Sequence, residues 1–430
     1  MPPSQLRDSL ALRLNQHVFY GWVMLGVAAL GMFASGPGQS HIFSVFILPI
    51  GRDLGLSHTS VSSAYALATL VAAFGLPWVG RMVDRHGVRP VLLSVAVLLG
   101  FAAMAFGTVT GMATLALGFA ALRFLGQGSL MLCSANLVAQ WFDRKRGFAL
   151  SLMGLGFSLT MAAHPPLAQW LIDELGWRAA WFWLGIMTWL LLVPVVAILV
   201  ENRPESLGLQ PDGDDADGKQ AARRQGADIG LSIGQAVRTP AFWVIALSLA
   251  TFSMLVTGLF FHQVSIFHSA GLSPQMAAWV FPISAITMVL AMPVFGRLLD
   301  RMPTKPMFAC AMLTMTAAML ALVLVHDAAT AALYGIAFGI NNAAVHTHMT
   351  YVWPRFFGRR HLGSIQGTAQ TIAVVGASLG PLPLGAAFDL YGAYTGALLA
   401  LAVLPVLCSI AILLMRPPRL ESEIRSQRDL

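Results

Sequence analysis

Arg123 lies eleven residues into an apolar run that begins near residue 112. At ~1.5 Å of rise per helical residue it sits about 16 Å deep, near the midplane of a ~30 Å hydrocarbon core. A guanidinium at that depth costs roughly 2.5 to 3.5 kcal/mol even on lenient scales, so it must face a cavity or the bundle interior and have a partner. None of the 19 acidic residues lies at that level. Asp53, Asp84, Asp143, Asp173, Glu174, Asp300, Asp327 and Asp389 fall at the ends of apolar runs, and the others lie in polar segments. Two readings stay open: Arg123 meets an anionic substrate, or it bonds backbone carbonyls and polar groups of a neighbouring span and holds half of the protein together. Gln127 and Ser134 share its helical stripe and extend a polar wall below it.

Histidines are the next chemical resource. A single run holds Asn341, Asn342, His346, His348 and Tyr351. Residues two apart on a helix point about 200° away from each other, so His346 and His348 cannot chelate one metal as a pair spaced by four would. Asn342 shares a stripe with His346, and Asn341 shares one with His348. Either histidine is a candidate proton carrier in place of the missing carboxylates; the alternative is a neutral ring hydrogen-bonded between helices. His164 before Pro165 and Pro166, His262 beside Gln263, and His41 after Gly36-Pro37-Gly38-Gln39-Ser40 are further candidates. The GPGQS stretch lies near the middle of an unusually long apolar run. An interrupted helix there offers Gln39 and Ser40 to a ligand, whereas Gly and Pro within spans otherwise give kinks or close packing. Phe260, Phe261, Tyr334, Phe338 and Tyr351 either wall a cavity or pack.

The elements that must position these groups follow from composition. The chain has 430 residues, 57% hydrophobic and 10% charged, with a mean hydropathy of +0.71, against roughly 25% charge in soluble domains. That excludes a soluble enzyme. About 20 apolar residues make one membrane-crossing helix, and twelve such spans are expected, near 18–49, 58–80, 90–109, 112–140, 148–172, 178–200, 240–268, 274–298, 306–326, 328–352, 362–388 and 393–415. Runs this long and uniformly apolar do not fit barrel strands, so the fold expected is all-α. With the N-terminus inside, 23 of the 26 Lys and Arg residues are cytoplasmic, leaving Arg52 and Arg178 outside and Arg123 within a span. That asymmetry predicts both termini inside. Arg7 and Arg13 precede the first apolar run with no small-residue cleavage site after it, which reads as a signal anchor. Short loops suggest a bacterial inner membrane. The net charge of +7 forms no basic stripe for nucleic acid. Cys133, Cys310 and Cys408 lie in apolar runs with no metal or disulfide spacing.

Residues 201–238 are polar, of mixed charge and rich in Gly and Asp, and read as a cytoplasmic linker. The expected organisation is a tail (1–17), a six-helix bundle (18–200), the linker (201–238), a second six-helix bundle (239–415) and a tail (416–430). Landmarks repeat between the halves. Gly80-Arg81 with Asp84-Arg85 recurs as Gly296-Arg297 with Asp300-Arg301, and Asp173 recurs as Asp389, both offset by 216 residues. Trp141-Phe142 recurs as Phe356-Phe357, offset by 215. One period at three landmarks indicates tandem duplication. Parallel repeats with a midplane site between them are a common architecture of secondary transporters, in which the halves rock.

The loop after the second span, GRMVDRHGVRP, resembles the G-x-x-x-D-R-x-G-x-R signature of the major facilitator superfamily at Gly80, Asp84, Arg85, Gly87 and Arg89. RFLGQG resembles the family's R-x-x-Q-G element at Arg123, Gln127 and Gly128. Tyr20-Gly21-Trp22, the loop WFDRKRGFALSLMGLG and Gly176-Trp177-Arg178 look like the branch of monocarboxylate porters and oxalate/formate antiporters. The resemblance implies two pseudo-symmetric six-helix bundles. It also implies a gate role for Gly80, Asp84, Arg85, Asp300 and Arg301. Porters of that branch carry a lysine midway in span one and an Asp/Arg pair in span eight, where this chain aligns Gln39, Met288 and Met292.

These readings converge on a carrier, expected as a monomer, of a small organic anion such as a monocarboxylate, moved inward with protons by alternating access. The substrate-binding candidates are Arg123, Gln127, Gln39, Ser40, Asn342, His346 and Tyr351. The proton-coupling candidates are His346, His348, His262 and His164. No cofactor or metal is expected. The alternative within transport is an exporter of drugs or hydrophobic metabolites, although span five has His164-Pro165-Pro166 where drug antiporters usually show G-P-x-x-G-G. An intramembrane metalloenzyme lacks a third ligand and a base, and a transport-dead sensor would bind ligand without moving it.

Overall fold

The computed structural model describes residues 11–13, 15, 16, 18–213, 230–358, 362–416 and 418. Among them eleven helices are long and apolar enough to cross a membrane: His58–His86, Val88–Phe106, Met112–Trp141, Arg146–Leu175, Trp177–Leu199, Pro240–Ser269, Pro274–Leu299, Thr304–Val323, Ala328–Phe357, Ser364–Tyr391 and Thr395–Leu414. They fall on the expected spans two to twelve. The stretch expected as span one is broken: Tyr20–Ala34 is α-helix, Gly36–Gly38 is a single 3-10 turn, and Ser40–Leu54 is α-helix again. Pro37 and two glycines explain the break, since proline lacks a donor and glycine carries the largest helix cost short of proline.

The helices assemble into two compact units, Met1–Leu56 with Leu67–Gln220, and Ser57–Ala66 with Ala221–Leu430. In the first unit span three packs on span six and span one on span five; in the second, span nine packs on span twelve and span seven on span eleven. The same pairings recur because the same small residues do. A Cβ on Gly156 of span five would meet the Ala29 carbonyl of span one, and a Cβ on Gly376 of span eleven would meet the Ala250 carbonyl of span seven. Hydrophobic attraction between helices is weak in lipid, so backbones that close together supply packing instead.

Caps and ties fix the helix ends. Asp327 caps the tenth span through the Thr330 N–H at 2.8 Å, and the Thr330 hydrogen bonds hold its carboxyl below the usual range. Of the two arginines expected outside, Arg178 pairs with Asp53 at 2.7 Å and donates to the Val109 carbonyl at 2.8 Å. The Tyr20 hydroxyl donates to the Leu199 carbonyl at 2.7 Å, joining the start of span one to the end of span six. The early part of the expected linker is folded. Pro204–Leu207 and Pro211–Gly213 are 3-10 turns, and Asp212 within the second is buried.

Candidate functional site

In the first unit the polar residues gather where span one breaks. Span four answers the break with its own irregularity: Arg123–Leu130 is π-helical, and the Ser129 hydroxyl donates to the Phe124 carbonyl five residues back at 2.7 Å. Such bulges occur frequently at functional sites. The two irregular segments touch backbone to backbone. A Cβ on Gly38 would meet the Leu122 carbonyl oxygen and would lie 2.7 Å from the Gln127 amide nitrogen, while one on Gly126 would lie 2.9 Å from the Gly38 Cα. Only glycine on both sides permits this approach.

Arg123 is buried beneath that junction. Its Nη1 donates to the Gly38 carbonyl at 3.0 Å and its Nε donates to the Thr69 hydroxyl of span two at 3.2 Å. The break in span one frees carbonyls that a helix would have used internally, and the guanidinium takes one of them. Gln39 is buried too; its Nε2 donates to the Ser35 hydroxyl at 2.9 Å and approaches the Met131 sulfur at 3.3 Å. Ser40 and His41 begin the second half of span one and are also buried. His164 lies against the same turn: a Cβ on Gly36 would sit 2.6 Å from its ring. The ring is 4.7 Å from that of Phe33, and Nδ1 is 2.8 Å from the Thr160 hydroxyl. Pro165 and Pro166 have no amide hydrogen to donate to the carbonyls of Met161 and Ala162, so two bonds of the helix ladder are missing here. Gln127 is half-buried.

The second unit holds the other candidates, and its helix faces separate them. His348 is buried against span nine, stacked on Phe308 at 5.5 Å, with Nδ1–H donating to the Ala344 carbonyl at 2.6 Å. Asn341 faces the same helix and donates to the Thr314 hydroxyl at 3.0 Å. His346 points elsewhere, half-buried and 5.9 Å from the Phe252 ring of span seven. Asn342 donates to its own helix at the Phe338 carbonyl, 2.8 Å away. Its Oδ1 is buried with no hydrogen-bond partner among the described residues. Tyr351 donates to the Leu299 carbonyl at 3.2 Å, so its hydroxyl ties spans eight and ten. His262 Nε2 lies 3.0 Å from the Pro381 carbonyl and 3.1 Å from the Ser62 hydroxyl. A carbonyl only accepts, so Nε2 carries the proton and the buried Nδ1 has no partner among the described residues. Gln263 and Tyr334 form one cluster: the tyrosine donates to Gln263 Oε1 at 3.2 Å and Gln263 Nε2 to the Ala277 carbonyl at 3.0 Å.

In the signature after the second span, Asp84 and Arg85 are exposed on the last turns of the helix, with Gly80 half-buried above them. Gly87 has φ +85 and packs on Asn202, where a Cβ would lie 2.6 Å from Oδ1. Arg89 donates through its amide to Asn202 at 2.9 Å and through Nη2 to the Ala197 carbonyl at 2.8 Å. The second half of the signature therefore docks on the end of span six. Arg301 is exposed at the end of its helix; the Asp300 side chain lies outside the described residues.

Thr69 and Thr160 were not legible as site residues, because a hydroxyl in an apolar run satisfies itself on its own helix as often as not.

A sequence profile of the Major Facilitator Superfamily matches residues 28–269 and again 256–429. The chain belongs to that family of transporters. Among curated relatives, Monocarboxylate transporter 13 of Bos taurus is 26% identical over 381 residues, covering 87% of this chain and 84% of that one. The Oxalate:formate antiporter of Oxalobacter formigenes is 26% identical over 230 residues, covering 52% and 50% respectively. These relatives belong to the branch that the span-one and span-five motifs resemble. Among solved structures, the nucleoside transporter NupG shares the fold at a TM-score of 0.70 and 13% identity, covering 92% of this chain and 98% of that one. A bacterial homolog of the human lysosomal transporter Spinster does so at a TM-score of 0.67 and 16% identity, covering 91% and 95%.

Proposed function

We propose that this protein is a secondary carrier of a small, monocarboxylate-like organic anion, moving it inward with protons by alternating access. The observation that carries the reading is Arg123, a buried guanidinium in contact with the broken middle of span one. The break adds a second electropositive feature, since the N-terminus of the half-helix Ser40–Leu54 begins beside it. Discontinuous spans that aim half-helix N-termini at anionic groups are a known device of transporters. Gln39, Ser40 and Gln127 are the polar groups at hand for orienting an anion there. In the second unit, Asn342 and His346 share a face and Tyr351 lies lower on the same helix. His346 is half-buried where His348 is enclosed between helices, which favours His346 as the proton carrier; His262 and His164 are the alternatives. Relatives named as carriers of monocarboxylates, oxalate and formate support the substrate class. The bundles of 18–200 and 239–415 are the rocking bodies in this reading. Asp84, Arg85 and Arg301 act at the gate, with both termini cytoplasmic by charge asymmetry.

The test is uptake of labelled carboxylates, short-chain through dicarboxylic, into proteoliposomes with an imposed inward proton gradient, comparing the native protein with Arg123→Gln. The expected result is saturable uptake of at least one carboxylate, lost in the variant. If no carboxylate moves while organic cations or neutral compounds do, the anion reading fails and Arg123 is a packing residue in an exporter.

A further inference from the structure

The folded start of the linker has a chemical role of its own. Asp212 stands in the left-handed region at φ 64 and ψ −2 and is 7% exposed. Its Oδ2 accepts the amide N–H of Asp143 at 3.1 Å and of Arg144 at 2.6 Å, and its Oδ1 accepts that of Lys145 at 3.2 Å. Three successive amides of the loop between spans four and five thus converge on one carboxylate, an arrangement that suits an anion. The loop ends in the helix Arg146–Met153, which has no side-chain cap of its own. The flanks are packed as well. Gly213 lies on the Phe19 ring, that ring is 5.9 Å from Phe142 and 6.1 Å from Trp141, and the Trp141 indole donates to the Glu201 carbonyl at 3.2 Å.

A tether between bundles needs length and solubility only. It does not need a buried carboxylate on a backbone conformation that side chains seldom adopt. We propose that Asp212 is a positioning residue for transport. Its carboxylate holds the Asp143–Lys145 loop, sets the angle at which span five leaves span four, and makes residues 201–213 a working part of the first unit. The chemistry requires both features at one position: the turn needs a residue tolerant of positive φ, and the loop amides need a charged acceptor. Aspartate provides both.

Two variants of the full-length chain separate turn from charge. Asp212→Gly keeps the left-handed turn and deletes the carboxylate; Asp212→Asn keeps the turn and one neutral acceptor. The first readout is limited trypsin digestion of the purified protein, followed by mass spectrometry of cleavage after Arg144, Lys145 and Arg146, all exposed. Loss of three charge-assisted bonds is expected to speed that cleavage about tenfold or more in Asp212→Gly and less in Asp212→Asn. Cleavage after Arg81 and Arg85 serves as the internal reference and stays unchanged. Equal cleavage in all three proteins overturns the anchor, whatever the substrate proves to be. The second readout, which rests on the carrier reading, is uptake of labelled short-chain carboxylates into proteoliposomes. The expected result is a severalfold lower maximal rate with an unchanged KM. Faster cleavage with an unchanged maximal rate overturns the positioning role. Faster cleavage in Asp212→Gly with Asp212→Asn behaving as native overturns the need for a charged acceptor, because one neutral side-chain oxygen would then hold the loop.

Discussion

Lysine in place of Arg123 keeps the charge and discards the fork. The guanidinium reaches the Gly38 carbonyl and the Thr69 hydroxyl from different nitrogens, whereas an ammonium is a single point on a flexible stem. Arg123→Lys is therefore expected to retain less than about a tenth of native uptake. Thr69→Val removes one bond to a charged donor, a loss of roughly 1.5 to 3 kcal/mol, and is expected to slow uptake about tenfold while leaving expression intact. Initial rates in proteoliposomes check both; native uptake in Thr69→Val would show that the Gly38 carbonyl alone suffices. The span-ten histidines divide in the same way. His346→Gln is expected to flatten the dependence of uptake on outside pH, while His348→Gln leaves that profile in place and lowers thermal stability in detergent, since His348 is wedged on Phe308. The sequence makes Arg123 stand out because a charge in an apolar run has few explanations. It hides Thr69, since the hydroxyl lies 54 residues away and resembles every other hydroxyl in a span.

At the level of the helix, the break in span one was legible in GPGQS and the π-helical stretch facing it was not. A proline between two glycines combines the three weakest helix residues in a row, so local chemistry favours the first irregularity. The second exists to meet the first: Gly126 fits against Gly38, and no local rule in RFLGQG demands a wider turn. A methyl group tests the fit. Gly38→Ala and Gly126→Ala are expected to lower the melting temperature in detergent and to abolish uptake, through overpacking that typically costs about 1 to 3 kcal/mol. Gly26→Ala is the control, because a Cβ there meets nothing within 4 Å. It should be neutral or slightly stabilising, as alanine is the better helix former.

For the molecule as a whole, the tandem repeat read from three landmarks corresponds to a repeated set of helix pairings, spans three with six and nine with twelve, one with five and seven with eleven. The register of charged loops carried that information, since loops are where a buried duplication stays visible. The unit boundary was less legible. Ser57 and the first nine residues of span two, through Ala66, group with the second unit, where Asp389 accepts the amides of His58 at 3.1 Å and Thr59 at 2.7 Å. A carboxylate capping a distant helix leaves no pattern in either local sequence. Co-expressing 1–220 with 221–430 as two chains is expected to restore measurable uptake, even though Ser57–Ala66 of the first chain groups with the second unit. Dividing the chain after Arg203 is expected to restore less, because Asp212 would then have to find its loop from the other polypeptide.

The Tyr20 hydroxyl and its acceptor carbonyl are 179 residues apart, and that separation translates into time during synthesis. At roughly 5 to 20 residues per second, the first span waits about ten to forty seconds in the membrane before the partner that secures its N-terminal end has been made. Through that interval its polar middle, with Gln39 and the Gly38 carbonyl, has only the spans already inserted for company. Span four, which brings Arg123, arrives about halfway through the wait. Arg123, whose guanidinium donates to the Gly38 carbonyl, is thus in place to shelter the broken helix while spans five and six are still on the ribosome.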